Sequence, residues 1–268
     1  MHETERHRVI LAAVQARPVA TVGDLVELTG ASEATIRRDI GTLHEQGALR
    51  RVRGGAEAVT PPAQGALVGR PFAVNETIHA ERKRAIAKAA AELCADGEPI
   101  IINGGTTTFQ MVHALAHRRL QVFTNSWPIA EHLLQHSRNT VTVPGGTLYR
   151  EQNIMLSPFD NDVTRNFFAR KMFMGCQGLG PQGLMETDPL LVQAELKLMN
   201  QADELIVLAD SSKFTARSSL ILCGLDRIAT VVTDGGLREE DRGMLADAGI
   251  GLVIADQAGA MQGKASVA

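Results

Sequence analysis

Beyond residue 98 the chain repeats one motif: a short, unbroken apolar run that ends in a small or polar residue. The runs are "PIIIN" from 99, "LQVFT" from 120, "TVTV" from 140, "KMFM" from 171, "ELIVLAD" from 204, "IATVVTD" from 228 and "IGLVIAD" from 250. A strand with one wet face alternates apolar and polar residues. A continuous apolar run is instead buried on both faces. Helical stretches separate most of these runs, so successive strands can cross over and lie parallel. The expected fold over residues 73–256 is a mostly parallel sheet covered by helices on both faces. The remaining "QAGAMQGKASVA", 257–268, is small and polar and is expected to be mobile.

Residues 1–59 have a different pattern. "RHRVILAAVQA" places Val9, Ile10, Ala13 and Val14 on one helical stripe, and Pro18 is expected to end it. "TVGDLVELTG" reads as a helix from a capping Thr21 to Gly30, with Val22, Leu25, Val26 and Leu28 apolar. After a short turn, Ser32 is an N-cap, Thr35 lies at the start of a third helix, and Ile36, Ile40 and Leu43 form its buried stripe. Helix, Gly-containing turn, helix is a helix-turn-helix. The following "ALRRVRGGAEAV" reads as a strand, a Gly-Gly turn and a returning strand, a wing beside the third helix. Five arginines (Arg37, Arg38, Arg50, Arg51, Arg53) fall on that helix and wing, against Asp39 and Glu45. This local excess of positive charge suits a helix in a major groove and a wing on the phosphate backbone, with Ser32 and Thr35 completing the DNA-facing set. "TPPAQGALVGRP" is rich in Pro and Gly, and residues 60–72 are expected to be a linker.

The formal net charge of −3 over 268 residues excludes a uniformly basic protein, so contact with nucleic acid must be local. No run of 18 apolar residues is present, and "MHETERHRVI" has no apolar leader core, so a cytoplasmic location is expected. Cys94, Cys176 and Cys223 lie far apart, with no metal-ligand spacing, and are expected to be buried inert thiols.

In sheets of this kind ligands bind beyond the carboxyl ends of the strands. After "III" comes Asn103, Gly104, Gly105, Thr106, Thr107 and Thr108, leading into a helix. Glycines permit close approach, and a helix N-terminus with hydroxyls suits a phosphate. Later strand ends add Thr124 and Asn125, then Gly145 and Gly146, then Asp210 with Lys213, and Asp234. The loop "GLGPQGLMETDPLL" adds Glu186 and Asp188, ahead of a helix carrying Glu195 and Lys197. The expected ligand is a phosphorylated sugar. Its phosphate would sit on the 103–108 loop, its hydroxyls on Thr124, Asn125, Glu186 and Lys213, and the acids would act as acceptors.

His79, His113, His117, His132 and His136 fall on expected helices, as solvated-face residues do. No P-loop, dinucleotide fingerprint or metal motif is present, so neither a cofactor nor a metal is expected. The expected function is regulatory rather than enzymatic. The alternative is a sugar-phosphate isomerase fused to a DNA-binding unit, because Asp210, Lys213 and Glu186 offer acid–base groups.

"ASEATIRRDIGTLHEQGALRRVRGGA" resembles the DNA-binding signature of DeoR-type repressors, and the series "INGGTTT", "TNS", "PGG", "DSSK" resembles their effector domain. The likeness runs from about residue 5 to residue 254. It implies a winged helix-turn-helix followed by a domain like ribose-5-phosphate isomerase and CoA transferases. It also implies operator DNA and a phosphorylated sugar as partners, assembly as a dimer or tetramer, and repression of a catabolic operon. "RGGAEA", "LSP" at 156–158 and "GLMETDPLLVQAELKLM" resemble the L-ascorbate-utilisation branch of that family, which implies a ligand such as L-ascorbate 6-phosphate.

Overall fold

The computed structural model describes residues 2–16, 20–59 and 72–255. Pro18, most of the expected linker and the 257–268 tail lie outside them. The chain divides into two compact units, Met1–Ile78 and His79–Ala268.

In the first unit α1 (Glu3–Ala16) is followed by β1 (Ala20–Thr21), α2 (Val22–Thr29), α3 (Glu33–Glu45), β2 (Arg50–Val52), β3 (Gly55–Glu57) and α4 (Phe72–Thr77). α2 starts as its sequence requires. The Thr21 hydroxyl accepts from Asp24 N while Asp24 closes the capping box, and Gly30 ends the helix at φ 66°. The Ser32 hydroxyl accepts from Thr35 N at the head of α3. Ile10, Leu25, Ile36 and Ile40 meet in one core with Leu43 and Leu49.

The wing differs from the sequence expectation. Val52 pairs with Gly55, so the tight turn is Arg53–Gly54 and Gly55 is already in the returning strand. A third strand, β1, pairs with β3 through Ala20–Ala56 and Thr21–Gly55. A Cβ on Gly55 would collide with the Ala20 carbonyl, so this position is a close approach of two backbones. α4 also departs from expectation: it packs on α1 and α2 within the first unit.

The second unit contains α5 (Ala80–Ala91), β4 (Pro99–Ile102), α6 (Thr106–Phe109), α7 (Met111–Leu115), β5 (Gln121–Thr124), α8 (Trp127–His136), β6 (Thr140–Thr142), β7 (Thr147–Tyr149) and β8 (Ile154–Leu156). It continues through β9 (Ala169–Met174), β10 (Gly178–Gly180), β11 (Gly183–Glu186), α9 (Pro189–Met199), β12 (Ala202–Leu208), β13 (Leu220–Cys223), β14 (Ile228–Asp234), α10 (Glu239–Asp247) and β15 (Gly251–Ala255). All seven apolar runs are strands of one sheet, ordered β15-β14-β12-β9-β4-β5-β6, and every pairing is parallel. Alternate residues feed opposite cores. Ile100, Ile102, Val122 and Phe173 pack with α5, α7 and α8, while Ile101, Phe123, Met172 and Val207 pack with residues from α9 and α10. That two-sided demand is the physical reason the runs are apolar throughout.

The chain builds outward from β4 through β5 to β6, then returns to the other side of β4 and builds through β9, β12 and β14 to β15. β4 and β9 therefore flank the point where strand order reverses, which in sheets of this kind is where ligands bind beyond the strands' carboxyl ends.

Prediction: Gly55→Ala should cost about 1–3 kcal/mol by forcing β1 and β3 apart. Thermal unfolding of the first unit should shift down while the second unit's transition stays in place, which differential scanning calorimetry resolves.

Candidate DNA-binding surface and ligand site

On the first unit Arg37, Arg38, Arg50, Arg51 and Arg53 are all exposed. Arg37 pairs with Glu33 one turn earlier at 3.1 Å, and Arg50 pairs with Glu57 across the wing. Arg38, Arg51 and Arg53 have no ion pair among the described residues. A groove of 510 Å³ between α3 and the wing is lined by Arg37, His44, Arg51 and Arg53.

Asp39, counted in the sequence against the arginines, is turned inward. It is 4% exposed and accepts from Arg6 Nε at 2.5 Å, Arg6 Nη2 at 3.0 Å and the His7 ring at 3.2 Å. Burial opposes its ionisation, but the hydrogen bonds from Arg6 and His7 outweigh burial and hold its carboxyl below the usual range. The stability this adds is present above the ordinary aspartate range and is lost as pH falls through the lowered value. The pair fixes α3 to α1 and leaves the outer face of α3 to the cations.

In the second unit the crevice is organised by Asn103, at the end of β4. Its side-chain Nδ2 donates to Glu195 Oε1 at 2.9 Å, and its carbonyl accepts from the Thr108 hydroxyl at 2.8 Å. Gly104 N donates to Asn125 Oδ1 at 2.8 Å. A Cβ on Gly104 would run into Ile154 of β8, so the loop is glycine here because the β7–β8 hairpin lies against it. Met155 N donates to Asn125 O at 2.7 Å and Trp127 N to Asn153 O at 2.9 Å, which ties that hairpin over the end of β5. Tyr149, from β7, donates its hydroxyl to Asp188 Oδ2 at 2.8 Å. Burial first, and then this bond, push the Tyr149 phenol up.

The expected residues divide into groups. Asn103 meets Glu186 and Asp188 through Glu195, and Gly104 is bonded to Asn125. Gly105, Thr106 and Thr107 lead into α6, whose first N–H groups have no intrahelical partner. Thr108 and Thr124 serve the local backbone, the latter by accepting from Ser126 N at 3.1 Å. Gly145 and Gly146 carry the turn into β7, with Gly146 against the Leu156 carbonyl. Asp210 and Asp234 accept from nearby backbone N–H groups as caps. The charge of Lys213 reaches Cys176. Sequence reasoning left Glu195 and Tyr149 out of the site.

Burial raises all three thiols, to about 12 for Cys94 and Cys176 and about 11 for Cys223, so none offers a thiolate. His79, His113, His117 and His136 are exposed, as a solvated face requires, and His132 is half-buried. His79 lies in a left-handed turn before α5 at φ 53°. His132 lies between His113, edge-on at 5.0 Å, and His136, tilted at 4.6 Å between ring centres. Among the described residues no cluster of His, Cys, Asp or Glu is placed to hold a metal, and no helix is long and apolar enough to cross a membrane.

A winged helix-turn-helix followed by a parallel α/β unit with a polar crevice defines a DNA-binding regulator with a sensor domain. Known proteins agree. The DeoR-like helix-turn-helix domain matches residues 6–61, and the DeoR C terminal sensor domain matches residues 78–235. The HTH-type transcriptional regulator UlaR of Shigella dysenteriae is 33% identical over 253 residues, covering 94% of this chain and 99% of that one. The UlaR of Escherichia coli O1:K1 has the same identity and coverage. Ribose 5-phosphate isomerase A from Methanocaldococcus jannaschii aligns at 17% identity with a TM-score of 0.37, over 49% of this chain and 53% of that one. The chain belongs to the DeoR family of transcriptional regulators.

Prediction: Arg38→Ala should cost about 1–3 kcal/mol of operator affinity and relax preference at one base position, whereas Arg51→Ala should weaken all sequences alike and lower the salt slope by about one. Binding titrations at several salt concentrations separate the two. Matching losses with unchanged slopes would contradict the assignment.

Proposed function

We propose that this regulator represses a carbohydrate-catabolism operon and is released or retuned by a phosphorylated sugar or sugar acid bound in the second unit. The observation that carries the ligand reading is a pair of buried polar atoms with no partner, Asn125 Nδ2 and Glu195 Oε2, on the two residues that grip the Asn103–Gly104 turn. Buried donors and acceptors are satisfied in folded proteins, so two orphans at a strand-order reversal are places for a ligand's polar atoms. The phosphate is assigned to the N–H groups from Gly105 to Thr107, where a dianion meets the start of α6. Thr106, Glu186, Asp188 and Lys213 bound the same pocket in this reading.

For the DNA, Arg37 or Arg38 contacts bases, while Arg50, Arg51 and Arg53 contact phosphates, with Ser32 and Thr35 at the head of α3. A single recognition helix covers few base pairs, so the chain acts at least as a dimer on repeated half-sites in the cytoplasm. Light scattering that finds a monomer both free and on DNA would contradict this. The protein binds its sugar without turning it over; isomerase assays on pentose and hexose phosphates are expected to stay at background.

Prediction: the effector should change operator affinity by roughly 5- to 150-fold. Thr106→Asp places an anion where a helix start tolerates one, so fold and operator binding should remain, but the phosphate is repelled and the response is lost. Calorimetry and operator titration check this. Equal binding of the sugar and its phosphate, or a normal response from the variant, would sink the phosphate assignment.

A further inference from the structure

This inference rests on the effector reading above and concerns the protonation of its most buried acid. Three carboxyls meet behind the Asn103 turn, and their partners differ. Asp188 is satisfied on both oxygens, by Leu190 N at 2.9 Å and the Tyr149 hydroxyl at 2.8 Å. Glu186 accepts from Thr187 N at 2.6 Å and the Thr187 hydroxyl at 3.0 Å. Glu195 is 5% exposed, accepts only from Asn103 Nδ2, and keeps Oε2 buried and unpartnered. Its charged neighbours are Glu186 on β11 and Asp188 at the head of α9, both of its own sign. The remaining titratable groups nearby are the Cys176 and Cys223 thiols, and the charges of Lys213 and Asp210 act on Cys176.

A carboxylate in that position would be an uncompensated buried charge, which proteins avoid by taking up a proton. The proton belongs on Oε2, because Asn103 already donates to Oε1. Burial, and then the charge of Glu186, hold this carboxyl well above the ordinary range. Asn125 has a matching constraint: Gly104 N occupies its Oδ1, so its amide NH₂ is the group left over.

We infer that Glu195 is a hydrogen-bond donor of the effector pocket, whose Oε2–H, together with Asn125 Nδ2, addresses acceptor oxygens on the sugar portion of the ligand. A cluster of acids that suggests acceptors for sugar hydroxyls thus presents donors at its two open positions. Effector binding is then linked to a proton: the bound state needs Glu195 neutral, so affinity falls as pH rises and the donor is lost. The folded state shares that dependence, since an acid with a raised folded value adds stability that is lost as pH rises.

The test has two arms on the full chain. In the first, NMR of protein labelled at the glutamate carboxyl carbons follows Glu195, assigned by its loss in Glu195→Gln. At about pH 7, where surface glutamates are ionised, the Glu195 signal is expected in the protonated position. In the second, calorimetry uses glucose 6-phosphate and gluconate 6-phosphate as probes from about pH 7 to about pH 9. That window lies above the second phosphate ionisation near about 6, so the phosphate charge is constant. Wild-type affinity is expected to fall over the part of it in which the Glu195 signal of the first arm ionises, and to stay level where that signal stays protonated. Glu195→Gln, neutral and still a donor, is expected to flatten the profile, and Glu195→Leu to weaken binding about tenfold or more at the lower pH. A Glu195 signal that titrates in the ordinary carboxylate range overturns the inference, as does a Gln variant whose affinity still falls like the wild type. If neither probe binds the wild type, the effector reading fails on its own, and the carboxyl titration alone then decides whether Glu195 is a donor.

Discussion

The second unit depends on what Asn103 does at the reversal of strand order. Its backbone N–H donates to Phe173 O at 2.9 Å, joining β4 to β9 across the reversal. Its carbonyl holds the Thr108 hydroxyl, and its side chain holds Glu195 on α9. One residue therefore fixes the sheet, the 103–108 loop and the helix carrying the buried acid. Neighbouring crossovers leave this reversal in opposite directions, and Asn103, Asn125, Glu186, Asp188 and Glu195, all buried, gather beside it.

The first unit solves a different problem with a similar device. A helix that presents arginines to a polyanion must be held from behind, where its own stripe of Ile36, Ile40 and Leu43 supplies area but no direction. The Arg6–Asp39 contact adds direction, because a two-pronged ion pair has a fixed geometry that apolar packing lacks. β1 extends the wing into a three-stranded sheet, which short hairpins require for independent stability.

Where the physics is local, the sequence was a sufficient guide. Seven apolar runs read as two-face strands became seven parallel strands, and the caps at Thr21, Ser32 and Gly30 stood where residue type requires them. What escaped it depends on contacts between distant residues. Glu195 looks like an ordinary helix-surface acid until Asn103, 92 positions earlier, is packed onto it. Tyr149 is one aromatic in a polar loop until it meets Asp188, 39 positions on. Asp39 reads as a charge diluting the arginines until α1 places Arg6 against it. Gly54 and Gly55 are indistinguishable in sequence, so a Gly-Gly turn is the local reading of the wing; β1 makes the second a strand residue. The histidines mark the same limit: spacing within one helix cannot show that His113 on α7 meets His132 of α8 edge to face.

The central claim is that the crevice beyond β4 and β9 is the sensor's ligand site. A cavity of 680 Å³, lined by Asn125, Thr147, Met155, Leu190, Ala194 and Lys197, shares Asn125 with that site and offers a direct competitor. Hydrogen exchange of the full chain, with and without a saturating sugar phosphate, discriminates between them. The account predicts protection concentrated at 103–108 and over 186–188, with residues 155–164 and 193–197 unchanged. Protection confined to 155–164 and 193–197, with the 103–108 amides exchanging as before, would contradict it.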